Sequence, residues 1–269
     1  MQGLRKQFRG PFFMRAAWLV TAAALMLTGC ATLGGEAPSN RYLAKGVFDA
    51  RDHLPPPPAK GSPAAERDRE IFRATRVLKD TPRWSLAQAD NVEEQVLEGY
   101  ACALGVSPSF ERNPKLAATL LRMSRDVRSA VAGPKLKYRR PRPYFSEEGP
   151  ICIKRSLGLA LSPDYPSGHA TWGWSVGLVL AELAPDRREA ILARAKAYGE
   201  SRVVCGVHNM SSVEAGQMNA ENLLAALKSS EAFKADLAAA RAELDAARAA
   251  GPAPARCEAE ASALSKPLL

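Results

Sequence analysis

The chain has 269 residues, of which 46% are hydrophobic and 24% are charged, so it can bury a substantial core in one large or two small domains. Only one stretch, near the N-terminus, resembles a membrane segment, which excludes a multispanning membrane protein. The formal net charge of +9 is partly carried by that stretch, so it is weak evidence for nucleic-acid binding and suits a small anionic substrate equally well.

Residues 1–29 have the features of a secretory signal peptide. Four basic residues precede an apolar run over residues 16–27 that is too short for a permanent membrane span. The sequence LTGC at 27–30 resembles the lipobox of bacterial lipoproteins, which implies acylation of Cys30 and a lipid-anchored periplasmic protein. The alternative is an ordinary signal peptide with an incidental cysteine, and Met14 could equally be the start. Removing the four positive charges lowers the net charge to +5.

The rest of the chain divides into three parts. Residues 30–62 are rich in proline, glycine and small side chains, and are predicted to form a tether. Helical patterns follow one another from 63 to 250, with no convincing period-two strand and no internal repeat. The sequence therefore predicts one all-α domain over residues 63–250, followed by a C-terminal tail over 251–269.

Local signals indicate how some helices begin and end. A break is predicted at residues 81–82, after which Ser85 can cap a helix that runs to about Leu104. The run HATWGWSVGLVLAEL is apolar nearly all round, which predicts a central buried helix. Its Trp172 and Trp174 are expected to be core residues, although Trp172 could also line a substrate pocket.

Four cysteines remain after Cys30, and an even number in an exported protein indicates two disulfide bonds. Four cysteines permit three pairings, so the sequence leaves the pairing open. They have neither the spacing nor the neighbouring histidines of a zinc site, so no metal is expected. The four are Cys102, Cys152, Cys205 and Cys257.

Three short segments contain the candidate functional residues. They are KLKYRRPRP at 135–143, DYPSGHA at 164–170 and SRVVCGVH at 201–208. Each is a weak signal alone, since a basic run is usually a solvated face and PSGH can be a turn before a helix. Together they contain the parts of an oxyanion-binding site.

The first group of side chains in these segments suits a phosphate. Lys135, Arg142 and Arg202 offer positive charge, and an arginine fork matches two phosphate oxygens at once. Ser167 and the backbone N–H of Gly168 lie where the buried helix is predicted to begin, and helix N-termini bind phosphate.

Two of the three histidines add acid–base and nucleophilic chemistry. His169 and His208 are titratable groups, one able to attack phosphorus and the other able to donate a proton. His53 lies in the predicted tether and is expected to be solvated and idle. No carboxylate cluster could hold Mg²⁺, so the cationic side chains must neutralise the phosphoryl charge.

The patterns K-x6-R-P, P-S-G-H and S-R-x5-H resemble the three-part signature of the type-2 phosphatidic acid phosphatase superfamily, which includes bacterial non-specific acid phosphatases and vanadium haloperoxidases. Lys135 alone gives the first spacing, since Arg142-Pro143 follows it after six residues. RATRVLKDTPRW at 73–84 and EAFKADLAAARAEL near the C-terminal end resemble class A acid phosphatases. The likeness therefore covers most of residues 63–250.

This resemblance implies a single helical-bundle domain of the acid phosphatase/haloperoxidase type, which hydrolyses small phosphomonoesters without a metal or other cofactor. It implies that His208 attacks phosphorus and forms a phosphohistidine, and that His169 protonates the leaving alcohol. Inorganic phosphate is the implied product, and a homodimer is a further analogy. The residues implied to bind the phosphoryl oxygens are Lys135, Arg142, Ser167, Gly168 and Arg202.

The third segment departs from the family pattern four residues after the nucleophile, where the family has aspartate and this chain has Ser212. That aspartate accepts the imidazole N–H and stabilises the cation formed. A serine hydroxyl can accept the hydrogen bond but carries no charge, and Glu214 would lie about 240° around a helix from His208. Gln217 also replaces a basic residue usual in class A enzymes.

Two hypotheses about Ser212 therefore stay open. The chain could be an acid phosphatase weakened by the missing carboxylate, in which case Ser212→Asp is expected to raise hydrolysis. It could instead be a phosphate- or phosphoester-binding protein whose hydrolysis has largely lapsed.

Three other functions are less compatible with the sequence. A lipid phosphatase of the same superfamily would span the membrane several times. A vanadium haloperoxidase would bind vanadate in the same site, but this chain is short and its flanking segments resemble the phosphatases. A nucleic-acid-binding module would need an aromatic and basic recognition pattern that this sequence lacks.

Overall fold

A computed structural model describes residues 40–251 and 253–268. The signal segment, Cys30 and the first part of the predicted tether lie outside the described residues. No strand occurs within the described ranges, which confirms the all-α prediction, and no helix there is long and apolar enough to cross a membrane. The α-helices of these ranges, in chain order, are α1 (Pro63–Thr75), α2 (Pro82–Ala89), α3 (Val96–Gly99), α4 (Ala101–Leu104), α5 (Pro114–Tyr138), α6 (Leu157–Leu161), α7 (Gly168–Leu183), α8 (Arg188–Val204), α9 (Met210–Leu227), α10 (Glu231–Ala250) and α11 (Cys257–Leu264).

Helix α7 is the central helix of the bundle. Most of its residues are buried, and it packs against α5, α8, α9 and α10. At Gly173, a Cβ would lie 2.1 Å from Cδ1 of Tyr198, so glycine is what allows α8 to approach this closely. At Gly216 on α9, a Cβ would lie 2.8 Å from the carbonyl oxygen of Ser167. These two close approaches bring α8 and α9 against α7, with α9 beside its N-terminal end.

Helix α2 begins and ends earlier than the sequence predicts. Thr81, not Ser85, is its N-cap, because the Thr81 hydroxyl accepts a hydrogen bond from a backbone N–H of the first turn. The helix ends at Ala89, and the short helices α3 and α4 replace the single helix predicted to run to Leu104. The residues between α2 and α3 therefore form a turn, which lies beside the candidate site.

The described part of the predicted tether packs against the bundle. Tyr42, Leu43 and Leu54 are buried and belong to the main hydrophobic core. The backbone N–H groups of Tyr42 and Leu43 donate to the carboxylate of Asp126 on α5, at 2.9 and 3.2 Å. The packed part of the chain thus begins before the predicted domain boundary at residue 63, because these apolar side chains cover α5.

Two disulfide bonds settle the pairing that the sequence leaves open. Cys102 pairs with Cys257, which attaches α11 to α4, so the predicted C-terminal tail contains a helix held against the bundle. Cys152 pairs with Cys205, which attaches the loop before α6 to the C-terminal end of α8. Cys205 lies within the segment 201–208, between the candidate functional residues Arg202 and His208.

Replacing Cys152 and Cys205 together by serine is expected to lower the free energy of unfolding by about 2–5 kcal/mol, because the unfolded chain loses a cross-link. The closed loop spans a sequence separation of 53 residues. Denaturant unfolding followed by circular dichroism measures the change. Fully reduced parent protein should lose at least as much stability, because reduction also breaks the bond between Cys102 and Cys257. Equal stability of the oxidised parent and the variant would contradict the prediction.

Candidate active site

The three candidate segments meet at the N-terminal end of α7. The backbone N–H of Asp164 donates to the carbonyl of Arg140 at 2.8 Å, which joins the first segment to the second. The backbone N–H of Ser167 donates to the carbonyl of Ser212 at 2.8 Å, which joins the second to the region after the third. The structure therefore brings the predicted site residues into one region of the fold. They are Lys135, Arg142, Ser167, Gly168, His169, Arg202 and His208.

Arg202, in the last turn of α8, has a buried donor that no described residue accepts. Its side chain is buried, and Nη1 donates to Oδ1 of Asn91 at 3.0 Å. Its Nε is also buried but has no hydrogen-bond acceptor within the described part of the chain. A buried donor without an acceptor is unfavourable, and an oxygen atom of a bound anion would satisfy it. This atom therefore marks a position suited to an oxyanion.

His208 is held at both ring nitrogens. Its Nδ1 lies 2.9 Å from Oδ1 of Asp164, and its Nε2 lies 2.9 Å from Nη1 of Arg142. An ionised carboxylate only accepts hydrogen bonds and a guanidinium only donates them. The contacts thus place the imidazole proton on Nδ1 and the lone pair on Nε2. That tautomer is the one in which Nε2 can act as a nucleophile.

Asp164 is a buried carboxylate surrounded by donors. It accepts hydrogen bonds from the hydroxyl of Ser212 at 2.5 Å and from Nδ2 of Asn209 at 2.9 Å, and Nη1 of Arg140 lies 3.5 Å away. Burial raises the pKa of Asp164, while Arg140, Ser212 and Asn209 oppose that rise. Arg140 is itself paired with Asp68 at 2.8 Å. The donors favour the ionised carboxylate that the contact with His208 requires.

His169 lies at the edge of the site. Its side chain is 23% exposed, whereas that of His208 is 2% exposed. The Nε2 atom lies 3.2 Å from the carbonyl oxygen of Asn91, and Nδ1 lies 3.2 Å from Oε1 of Glu93. Both nitrogens thus face acceptors, and the ring is accessible from outside. This environment suits a residue that exchanges protons with a leaving group or with water.

The basic side chains of the site disfavour one another's charge. Burial, and next the charge of Arg142, lowers the pKa of Lys135 to about 7. Burial lowers the pKa of Arg202 to about 10. The pKa of His208 is held well below its ordinary value, first by burial and then by the charge of Arg142. The pKa of His169 is held well below its ordinary value by burial and by the charge of Arg202. An anion bound among these groups would oppose each of these shifts, so the electrostatics favour an anionic ligand.

Sequence reasoning missed four residues of this region: Asn91, Glu93 and Asp164 contact predicted residues, and Arg140 contacts Asp164. Asn91 and Glu93 come from the turn between α2 and α3, which was predicted to be helical, and no motif signals them. Arg140 was within the basic run but does not fit the K-x6-R-P spacing. Asp164 directly precedes YPSGH, and the absence of an acidic residue at 212 is the one signal that could have drawn attention to it.

Other residues singled out in the sequence lie elsewhere. His53 is exposed, and its ring stacks on Phe48 with centroids 5.1 Å apart. Glu214 and Gln217 line a separate groove formed by α8, α9 and α11. Trp172 is buried and lines a cleft beside the site. Within residues 40–251 and 253–268, no group of three or more His, Cys, Asp or Glu side chains could hold a metal ion.

Comparison with known proteins gives a consistent result. The family model of the PAP2 superfamily matches residues 117–229, a range that contains all three segments. The chain is 41% identical over 205 residues to an acid phosphatase of Zymomonas mobilis subsp. mobilis, covering 75% of this chain and 78% of the relative. It is 34% identical to a non-specific acid phosphatase of Providencia stuartii (73% and 81% covered) and 32% identical to one of Salmonella typhimurium (72% and 79% covered).

Raising the pH from about 6 to about 8 is expected to weaken phosphate binding by the parent several-fold more than by Lys135→Arg, because an amine with a pKa of about 7 loses its charge over this range. Below neutrality both proteins carry the positive charge, and above it only the arginine variant does. Calorimetric dissociation constants of inorganic phosphate measure the effect. The titration of phosphate itself is common to both and cancels in their ratio.

Lys137→Arg is the matched control, since Lys137 is an exposed lysine one turn or less away on the same helix. The ratio of its phosphate dissociation constant to that of the parent should not change with pH. The expectation would be contradicted if the ratio of the phosphate dissociation constants of the parent and Lys135→Arg were also constant from about pH 6 to about pH 8. Lys135 would then not lose its charge near neutral pH.

Proposed function

The chain belongs to the acid phosphatases of the PAP2 superfamily, and from this membership we propose that it hydrolyses phosphomonoesters through a phosphohistidine intermediate on His208. The ligands are small phosphomonoesters and the inorganic phosphate released from them. In this reaction the charge of the phosphoryl group is neutralised by cationic side chains, so the proposal requires no metal ion.

The first step transfers the phosphoryl group to the enzyme. Arg142, Arg202 and Lys135 bind its non-bridging oxygens, and the Nε2 lone pair of His208 attacks phosphorus. The bond from phosphorus to the ester oxygen breaks, and the departing oxygen takes a proton from His169. The products of this step are the free alcohol and a phosphohistidine, with the added positive charge on the imidazole balanced by Asp164.

The second step returns the enzyme to its starting state. A water molecule attacks phosphorus from the side that the alcohol has left, and His169, now neutral, takes one of its protons. The bond between phosphorus and Nε2 of His208 breaks, and phosphate is released. The partial exposure of His169 supports this role, because water has access to it.

The pair of contacts on His208 is the observation that most directly supports turnover. A protein that only bound phosphate would need the cationic side chains but would have no need of a fixed imidazole tautomer. Here Asp164 and Arg142 hold His208 with its lone pair toward the cationic groups. We therefore favour a working phosphatase over a binding protein whose hydrolysis has lapsed, and the experiment below separates the two.

Export of the chain is part of the proposal. We infer that residues 1–29 are removed and that an acylated Cys30 anchors the protein to a bacterial membrane on the periplasmic side. The basic and apolar N-terminal residues support export. Two disulfide bonds within the described residues support an oxidising compartment.

His208→Ala is expected to lower the hydrolysis of p-nitrophenyl phosphate by at least about a thousandfold, because the attacking nitrogen is lost. Assays between about pH 4.5 and 8 in excess EDTA give the rates. Rapid quenching with labelled substrate should trap an acid-labile phosphoryl group on the parent and none on His208→Ala.

His53→Ala is the matched control, because His53 is exposed and its ring stacks on Phe48, which is not in any of the three segments. Parent-like hydrolysis in this variant and loss in His208→Ala would support the proposal. No turnover in the parent, together with tight binding of inorganic phosphate, would identify the protein as a binding protein built on the same site.

A further inference from the structure

We propose that Asp164 is the positioning residue for His208, and that it serves in place of the aspartate that the family pattern has at position 212. This inference rests on the proposed function, because it assigns a role within the phosphohistidine reaction. The resemblance to the family implies an aspartate at 212, where this chain has serine. The carboxylate that contacts the imidazole comes instead from the second segment.

Positions 164 and 212 face each other in one buried pocket. The hydroxyl of Ser212 donates to Oδ2 of Asp164 at 2.5 Å, and neither side chain is exposed. The backbone hydrogen bond from Ser167 to Ser212 holds the two segments together at 2.8 Å. A carboxylate attached at either position would therefore lie in the same pocket, with a hydroxyl at the other position available as its donor.

The charges around this pocket are arranged for one carboxylate. Asn209 donates to Asp164 from its backbone N–H at 3.2 Å and from its side chain at 2.9 Å. Arg140 lies 3.5 Å from Asp164, but Asp68 already shares its charge. A second carboxylate at 212 would lie against Asp164 in a site closed to water, where like charges repel strongly. Ser212→Asp alone is thus expected to lower hydrolysis, which reverses the expectation from sequence.

The test exchanges the two side chains singly and together. Asp164→Ser is expected to lower kcat for p-nitrophenyl phosphate at least about a hundredfold, because the imidazole loses its orienting carboxylate. Ser212→Asp is expected to lower kcat about tenfold through repulsion between the carboxylates. The double exchange is expected to be at least about tenfold more active than Asp164→Ser, because one carboxylate is again in the pocket.

Phosphate affinity separates positioning from general damage to the site. The dissociation constant of inorganic phosphate should change less than about threefold in these variants, since the phosphoryl-binding side chains are untouched. Asp164→Asn keeps the shape of the side chain without its charge, and should lose kcat while still binding phosphate. Glu214→Gln, which removes an exposed carboxylate from the same helix, should keep the parent kcat.

Parent-like kcat in Asp164→Asn would overturn the proposal, as would a folded double exchange no more active than Asp164→Ser. A rise in kcat for Ser212→Asp alone would also overturn it, because the carboxylate at 164 would then not be serving His208. Failure of the proposed function has a different signature, namely hydrolysis that persists in His208→Ala.

A separate observation concerns the alcohol part of the substrate. A cleft of about 580 Å³ begins at two residues of the phosphoryl site, Lys135 and Gly168. A Cβ at Gly168 would lie 3.7 Å from Cγ1 of Val131, so the apolar wall starts directly at the phosphoryl site. The apolar side chains of the cleft are Phe110, Leu121, Val127, Val131, Ala132 and Trp172.

The position of His169 indicates which part of a substrate enters this cleft. His169 follows Gly168 in the chain, and its Nδ1 lies 3.2 Å from Glu93, which also lines the cleft. The leaving oxygen must lie next to the residue that protonates it. The carbon chain attached to that oxygen is therefore directed along the apolar wall.

Because the apolar cleft continues directly from the phosphoryl site, we infer that it is the subsite for the leaving alcohol. We infer that it selects apolar aryl or medium-chain alkyl groups. This inference deepens the proposed function, since it names the substrate class of the same site. It can be tested by binding alone, so its outcome does not depend on turnover.

Ethylphosphonate and hexylphosphonate are suitable probes, because they share a phosphonate group and differ by four methylenes. Calorimetry is expected to give a dissociation constant at least about tenfold lower for the hexyl compound. Leu121→Ser combined with Val131→Thr is expected to reduce that ratio about threefold or more, because both changes make the cleft more polar. Inorganic phosphate affinity should stay within about twofold, since Leu121 and Val131 are not among the phosphoryl-binding residues.

Val77→Ser is the control, because Val77 is 80% exposed and lies outside the cleft. It should leave the ratio unchanged. Equal affinities for the two phosphonates, or a ratio unaffected by the cleft variant, would overturn the subsite. Selective binding of hexylphosphonate by a protein without phosphatase activity would refute the proposed function and leave the subsite intact.

Discussion

The contact between Asp164 and His208 is the constraint on which the rest of the site depends. A carboxylate without solvent exposure is stable only when donors surround it. Here the donors come from different parts of the chain, Arg140 from the first segment and Asn209 and Ser212 from beyond the third. Satisfying one buried charge thus fixes the relative positions of all three segments. The same contact sets the tautomer of His208, so a packing requirement and a chemical requirement are met by the same atoms.

The cationic side chains impose the opposite requirement on the fold. Arg142 lowers the pKa of Lys135, and Arg142, Lys135 and Arg202 lower that of His208. Nε of Arg202 is a buried donor without an acceptor among residues 40–251 and 253–268. Such a cluster is unfavourable without an anion. The apolar packing of α5, α8 and α9 around α7 stabilises the fold and offsets the unfavourable free energy of this cationic cluster. The helical bundle therefore positions the cationic side chains before a ligand binds, and a bound oxyanion neutralises their charge.

Much of the fold follows from local sequence patterns. The run beginning at His169 predicts the buried helix α7, and the absence of alternating patterns predicts an all-α chain. The packing of Tyr42 and Leu43 on Asp126 was not predictable, because a proline-rich and glycine-rich segment carries no mark of a distant partner. The end of α2 at Ala89 was also missed, since the turn after it is decided by tertiary contacts rather than by helix propensity.

By itself, the sequence determined which residue types carry phosphate chemistry, because the spacing within each motif is a local property of the chain. It also showed that the usual carboxylate is absent at 212. Only the tertiary structure decided that Asp164, 44 residues away, contacts His208, that Cys152 pairs with Cys205, and that an apolar cleft continues from Gly168. Contacts between residues far apart in the chain are set by helix packing and by the need to pair buried charges, and neither leaves a periodic pattern in the sequence.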